Sequence, residues 1–273
     1  MVLADSDRYE TPAGRPRSLL SRIFPAELAF YVPILGIVLR SSAEAKKGRY
    51  DGARWVRSSL QVVRAMEGVG MHLVIEGMEH LRSFEGPAVF VSNHMSTLET
   101  FVLPSILHPV KPVTFVVKES LVRYPVFGPI MRSRDPIQVG RKNPREDLTA
   151  VLQGGEERIG RGLSLVIFPQ TTRSERFYPQ RFNSLGAKLA ARTNVPLVPV
   201  ALRSDAWGNG RLLKDFGPVD VQRPVRFRLG APIAARGKRN DAHAASLRFI
   251  TSCLREWGCR VDEGGEVDPG ETG

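Results

Sequence analysis

From residue 67 onward the chain switches repeatedly between short, nearly unbroken apolar runs and longer stretches whose apolar residues recur every three or four positions. The runs MHLVIEG, AVFVSNH, VTFVVK, PIQVGR, LSLVIFP, PLVPVAL and VRFRLG have the length and β-branched content of strands, and residues 98–107, 144–160, 184–193 and 241–257 suit helices. Strands that are apolar at every position belong to a sheet covered on both faces. The pattern therefore predicts an α/β fold, a sheet mostly parallel at its centre and flanked by helices.

The amino-terminal part reads differently. Residues 1–17 are polar and lack a secretory signal, so the chain is expected to stay in the cytoplasm. Ile23 to Leu39 form a 17-residue apolar stretch flanked by Arg22 and Arg40 and interrupted by Pro25, Glu27 and Pro33. That is marginal for a membrane span and better suits a helix lying in the interface or a monotopic anchor. Residues 50–66 place Ala53, Val56, Leu60 and Val63 on one helical stripe, with Trp55, Arg57 and Arg64 available near headgroups. The two segments predict an amino-terminal helical hairpin on a bilayer; alternatively, both pack on the core as amphipathic helices. Three regions follow: a polar segment with membrane-associating helices (1–66), a catalytic domain (67–260) and an acidic, Gly-rich, disordered tail (261–273).

Charge sharpens this picture. The formal net charge is +11, but residues 261–273 hold five acidic groups and no Lys or Arg, which leaves +16 on residues 1–260. Such an excess implies polyanionic surroundings, either nucleic acid or an anionic lipid surface with phosphorylated substrates. Aromatic residues do not interleave with the Lys and Arg residues as stacking platforms would, so no nucleic-acid partner is expected. Cys253 and Cys259 stand six apart without nearby histidines, so neither a metal site nor a disulfide framework is expected.

The chemistry gathers where apolar runs break. AVFVS ends in Asn93-His94-Met-Ser-Thr-Leu-Glu99, and LSLVI ends in Phe168-Pro-Gln-Thr-Thr-Arg-Ser174. Strand ends of this kind build the active sites of open α/β sheets. His94 can act as a general base if the chain turns so that Glu99 accepts from one ring nitrogen while the other faces substrate. A competing reading makes Ser96–Glu99 a capping box, with Glu99 bonded only to backbone at a helix start. His72, His80, His108 and His243 lack such a setting and are taken as structural or surface residues. Neither Ser96 nor Ser174 lies in the G-x-S-x-G elbow of a serine hydrolase.

Four blocks, NHMSTLE (93–99), KESLVRYPVFG (118–128) leading into IQVGR (137–141), FPQTTRS (168–174) and VPLVPVA (195–201), together resemble the glycerolipid acyltransferase family, typified by 1-acylglycerol-3-phosphate acyltransferases. The resemblance covers roughly residues 67–235. It implies His94 as general base and Glu99, where that family has Asp, as its partner. Lys118, Arg141, Gln170, Thr171, Thr172 and Arg173 are implied as substrate-binding residues, with Arg141 and Arg173 holding an acidic headgroup, and Pro199 as part of a block that shapes the site. The implied reaction moves a fatty acyl chain from a thioester, acyl-CoA or acyl carrier protein as co-substrate, to the hydroxyl of a lysophospholipid, lysophosphatidic acid being the leading acceptor. No metal or other cofactor is expected, and the expected location is the cytoplasmic face of a membrane, peripheral or monotopic.

Departures from that pattern keep alternatives in view. Gln170 replaces Glu and removes a charge, Thr171 replaces Gly, and FNSLG (182–186) is one residue longer than the usual F-x-x-G. A different lyso-lipid acceptor is one alternative; a catalytically altered, lipid-binding adaptor is the other.

Overall fold

The apolar runs become strands because each can bury both of its faces. The computed structural model describes Leu3, residues 6–170, 172–210 and 215–262. Its strands are β1 (Arg8–Glu10), β2 (Leu73–Glu76), β3 (Val89–Ser92), β4 (Val113–Lys118), β5 (Ile137–Val139), β6 (Ser164–Ile167), β7 (Leu197–Arg203) and β8 (Val225–Leu229). The amino-terminal helices are α1 (Leu19–Ile23), α2 (Ala26–Lys46) and α3 (Gly52–Val69), followed by α4 (Glu79–Arg82) and α5 (Leu98–Leu107). After β4 come α6 (Glu119–Arg123) and α7 (Phe127–Arg132); α8 (Pro144–Gly160), α9 (Leu185–Thr193) and α10 (Arg239–Glu256) complete the set.

Among the described residues the strands form one sheet in the order β1-β2-β8-β7-β3-β6-β4-β5. β7, β3, β6, β4 and β5 run parallel, β8 is antiparallel to β7, and β1 is antiparallel to β2. Side chains alternate between two cores, as the pleat requires. Val89 and Val91 of β3 and Leu165 and Ile167 of β6 enter the core beneath α8, α9 and α10. Phe90 and Val166 enter the core beneath α3 and α5. Gly186 at the start of α9 is there because a Cβ would lie 2.2 Å from Val91 Cγ1, so the helix could not approach β3 with a side chain.

Local signals set the helix ends. Asn143 caps α8, its side chain accepting from the Arg145 N–H, with Pro144 in the first turn beside Glu146 and Asp147. Asp51 caps α3, and Gly70 ends it in the left-handed conformation at φ 93°.

The amino-terminal hairpin is present, α2 packing on α3, but its second helix faces differently from expectation. Trp55 is not at a headgroup surface: it is buried against His108 and Phe115, ring centroids 5.3 and 5.8 Å away. The buried stripe of α3 is Trp55, Ser59, Val62, Val63 and Met66, whereas Ala53 is exposed. α3 is enclosed because it lies between α2 and α5. That leaves α2 as the helix with an open apolar side: Leu28, Val32, Leu35 and Leu39 recur along one face and are about half exposed.

The polar leader also holds more order than its composition suggests. β1 pairs with β2, and its Tyr9 hydroxyl donates to Glu67, a buried carboxylate of α3 that also accepts from Thr11 at 3.0 Å and pairs with Arg15 at 3.0 Å. At the other end Val261 bridges to Phe177, and the Asp262 N–H donates to the Phe177 carbonyl at 2.9 Å. The rest of the acidic tail, 263–273, lies outside the described residues.

Candidate active site

Four adjacent parallel strands end on one edge of the sheet, and each delivers polar residues of the first three blocks. Read along the edge, β3 leads to His94, β6 to Gln170 and Arg173, β4 to Lys118 and β5 to Arg141. At roughly 4.8 Å per strand, the His94 and Arg141 strands are about 14 Å apart, too far for both residues to act on one reacting bond.

Asn93 fixes the point from which His94 departs. Its amide donates to the Leu202 carbonyl at 2.8 Å and accepts from the Leu202 N–H at 3.0 Å, continuing the β3–β7 ladder with a side chain. The His94 N–H donates to Gln170 Oε1 at 3.0 Å, and the Ser174 N–H donates to the His94 carbonyl at 2.9 Å, so the β6 block clamps the histidine backbone from both sides. Its ring stacks on Phe168, centroids 4.2 Å apart and planes within 19°.

Glu99 lies in the first turn of α5 and is completely buried. Its Oε1 takes His94 Nδ1 at 2.8 Å, the Met95 N–H at 2.8 Å and the Ser96 N–H at 3.0 Å. Oε2 takes the hydroxyls of Ser96 at 3.1 Å and Ser204 at 2.5 Å. The capping and catalytic readings of Glu99 are thus both realised, since one carboxylate holds the backbone at the helix start and the ring of His94. Burial pushes the Glu99 carboxyl up, but the bonds from His94 and Ser204 and the charge of a protonated His94 outweigh it and hold the group below its ordinary value. An ionised Glu99 fixes a proton on Nδ1 and leaves Nε2 as the free, basic nitrogen.

Arg173 donates to Thr97 Oγ1 and forms an ion pair with Asp215 at 2.7 Å; the Thr97 hydroxyl also donates to Asp215 at 2.9 Å. Arg141 stands in the left-handed region at φ 59°, a turn held by Asp147, which accepts the N–H groups of Gly140 and Arg141 at 2.9 Å each. Partial desolvation depresses the Arg141 guanidinium even though the residue is largely exposed, Asp147 opposes this, and the charge of Arg173 depresses it further. Two guanidinium groups within electrostatic reach of each other favour a bound anion. Lys118 is exposed at the end of β4, and Thr172 is exposed with its N–H on the Gln170 carbonyl at 2.7 Å. Thr171 lies outside the described residues.

Gln170, implied by resemblance to touch substrate, has its side-chain carbonyl on the His94 backbone, a positioning contact. The sequence reading missed Ser204 and Asp215. Ser204 follows the apolar run of β7 and could have been found by treating that strand end like the others; Asp215 has no local signal. Among the described residues no group of three or more His, Cys, Asp or Glu side chains could hold a metal ion.

Comparison with known proteins bears on the family and the fold. Residues 72–203 match the family described as Acyltransferase. The chain is 29% identical over 174 residues to the 1-acyl-sn-glycerol-3-phosphate acyltransferase of Pseudomonas aeruginosa, covering 63% of this chain and 65% of that protein. It is 32% identical over 139 residues to a chloroplastic 1-acyl-sn-glycerol-3-phosphate acyltransferase of Brassica napus, covering 51% and 38%. The chain therefore spans less than two thirds of the length of these relatives. Among solved structures its fold is similar to that of the 1-acyl-sn-glycerophosphate acyltransferase PlsC from Thermotoga maritima, with a TM-score of 0.64 over 87% of this chain and 97% of that one at 18% identity.

Proposed function

We infer that this chain, whose residues 72–203 belong to the acyltransferase family, transfers a fatty acyl group from a thioester to the free hydroxyl of a lysophospholipid at a membrane surface, with 1-acylglycerol-3-phosphate as leading acceptor. The observation that carries this reading is the 2.8 Å His94–Glu99 pair at the sheet edge where Arg173 and Arg141 also stand.

In the reaction His94 Nε2 takes the acceptor's hydroxyl proton as that oxygen attacks the thioester carbonyl. Glu99 holds the ring by its Nδ1–H and stabilises the imidazolium that forms. When the tetrahedral intermediate collapses, the C–S bond breaks and the thiolate takes the proton back from His94. The products are an ester and a free thiol. Arg141 and Arg173 hold the acceptor's phosphate at a distance set by the strand spacing, which brings the hydroxyl to His94.

The open face of α2 supports a membrane setting. Leu19, Ile23 and Phe24 of the α1 region are exposed as Leu28, Val32, Leu35 and Leu39 are, and Phe216, also exposed, packs against Tyr31 of α2 with ring centroids 5.5 Å apart and planes tilted by 37°. α2 also packs on α7, so this apolar surface adjoins the strand-end side of the molecule. α2 is long and apolar enough to cross a membrane by length and composition, but Ala29, Phe30 and Ile34 are committed to the protein core. A helix with one face in the core and one apolar face open lies along a bilayer, and the flanking Arg22 and Arg40 suit anionic headgroups.

The test is to incubate purified protein with labelled acyl-CoA and a panel of lyso-lipids in vesicles, beside His94→Ala. Acylation that falls by roughly two to four orders of magnitude in a folded His94→Ala protein supports the reading. Turnover that survives the substitution, or no acylation by the unsubstituted chain, overturns it.

A further inference from the structure

The face of the molecule opposite α2 carries a groove that the reaction above leaves unused. Two open concavities of about 550 and 570 Å³ adjoin at Arg255, which lines both, and together make a trough between α10 and the segment after the FPQTTRS block. Arg248, Thr251, Ser252 and Arg255 form one face of α10 along it, and Arg176 and Arg260 close its far end. Asp262, 3.3 Å from Arg176, is the sole carboxylate among the described lining residues. Among the described lining residues four guanidinium groups stand against one carboxylate, with hydroxyls and the Gln180 amide between and the apolar side chains of Pro179, Leu247 and Val261 beside them, a mixture that suits several phosphates and a flat base more than an acyl chain.

Its position connects it to the chemistry. The Ser174 N–H donates to the His94 carbonyl, and Arg176 is two residues further on, about 7 Å along the backbone at most. The next residue, Phe177, is bridged to Val261, and the Trp257 carbonyl accepts from Arg203 at the carboxyl end of β7 at 2.7 Å. The trough thus begins at the catalytic edge and leads away over the α8–α10 face, on the side of the sheet turned from α2.

We propose that this arginine trough binds the phosphate-bearing nucleotide of a coenzyme A thioester, so that the water-soluble donor enters over α10 while the lipid acceptor enters beside α2. This rests on the acyltransferase reading and names the donor subsite that reading requires. A carrier with a pyrophosphate and a further phosphate matches a trough with arginines spaced along it, and its flexible thiol arm leads past Arg176 toward His94.

The experiment compares the full chain with Arg255→Glu/Arg260→Glu, and with Lys238→Glu/Arg239→Glu, an equal charge change at the other end of α10, roughly 25 Å away. Binding of free coenzyme A is measured by calorimetry. Kinetics are measured with acyl-CoA, with the same acyl group on pantetheine, which lacks the nucleotide, and on acyl carrier protein, at one fixed acceptor. The expected result is coenzyme A binding and a KM for acyl-CoA about tenfold or more weaker in the trough variant, with kcat and the pantetheine KM unchanged and the control variant like the unsubstituted chain. Unchanged coenzyme A binding, equal effects on both small donors, an equal effect of the control, or an effect confined to the carrier-protein donor overturns the proposal. A chain that binds coenzyme A in the trough but acylates no lyso-lipid refutes the functional reading and leaves the trough standing. A chain that acylates while the reversed trough changes nothing does the opposite.

Discussion

Replacing Glu99 by Gln separates the charge of the buried carboxylate from its shape. At Oε1 three donors converge: His94 Nδ1 and the N–H groups of Met95 and Ser96. An amide NH2 turned into that position would meet two backbone N–H groups that cannot rotate away, so Gln must present its oxygen there and its NH2 at the Oε2 position. On that side the partners are the hydroxyls of Ser96 and Ser204, which can turn, Ser96 having the Ser204 carbonyl at 3.0 Å as another acceptor. The third partner there is one arm of the Ser96 N–H at 3.1 Å, which keeps its other arm on the oxygen at 3.0 Å. The variant therefore keeps its fold and the Nδ1–H tautomer of His94. What it loses is the difference between charged and neutral hydrogen bonds, about 1–2 kcal/mol of stability. Catalysis loses more, because the imidazolium formed during proton transfer no longer faces an anion. A buried pair at such a distance, taken at an effective dielectric near 20, interacts by about 4 kcal/mol, so kcat should fall by about 10² to 10³. Acylation of lysophosphatidate is followed with saturating donor, and thermal unfolding is followed in parallel. Activity within about threefold of the unsubstituted chain, in a folded Glu99→Gln protein, would refute the assignment and leave Glu99 as a helix cap alone. Glu99→Ala serves as a contrast: it strands buried N–H groups and should cost about 3 kcal/mol or more of stability.

Further outcomes follow from the same structure. Arg173→Ala and Arg141→Ala should each raise the apparent KM about tenfold or more for phosphomonoester acceptors and little for a neutral acceptor; equal losses on both would remove the headgroup role. Ser or Asn at Leu28, Val32, Leu35 and Leu39 together should release the protein from anionic vesicles, since half-exposed side chains of this size contribute roughly 3–6 kcal/mol on insertion, whereas high salt should release the parent chain only in part. Because the Glu99 carboxyl is held below its unfolded value of 4.5, its stabilising effect is full above that pH and is lost as pH falls through the lower folded value. Acid unfolding monitored by circular dichroism should accordingly lose part of its slope below about pH 4.5 in Glu99→Gln. His108, buried and depressed below 6.5, likewise resists protonation in the fold, here because burial favours its neutral form: the unfolded chain takes up the proton first, so stability falls below about pH 6.5, and that component should vanish in His108→Phe if the fold accepts it.

The sequence by itself determined the strands, the principal helices and the residues at the strand ends. Those depend on local properties, namely continuous apolarity for a doubly covered sheet, helical periodicity, Asn143-Pro144 as a helix start, and the abrupt polarity of NHMSTLE and FPQTTRS. It also brought His94 and Glu99 together, because five residues and one turn are a local matter. The tertiary structure alone decided the rest. Trp55 lies in a helix amphipathic enough to suit either a bilayer or a core, and only the placement of α3 between α2 and α5 made it a core residue. β1 has a polar sequence because one face of a short edge strand meets water, so its pairing with β2 and the clamp on Glu67 have no local signature. Ser204 and Asp215 reach Glu99 and Arg173 across 105 and 42 positions because the strand order sets neighbouring carboxyl ends side by side. Such partners are chosen by loop closure over a finished sheet, a long-range event that no window of neighbouring residues encodes.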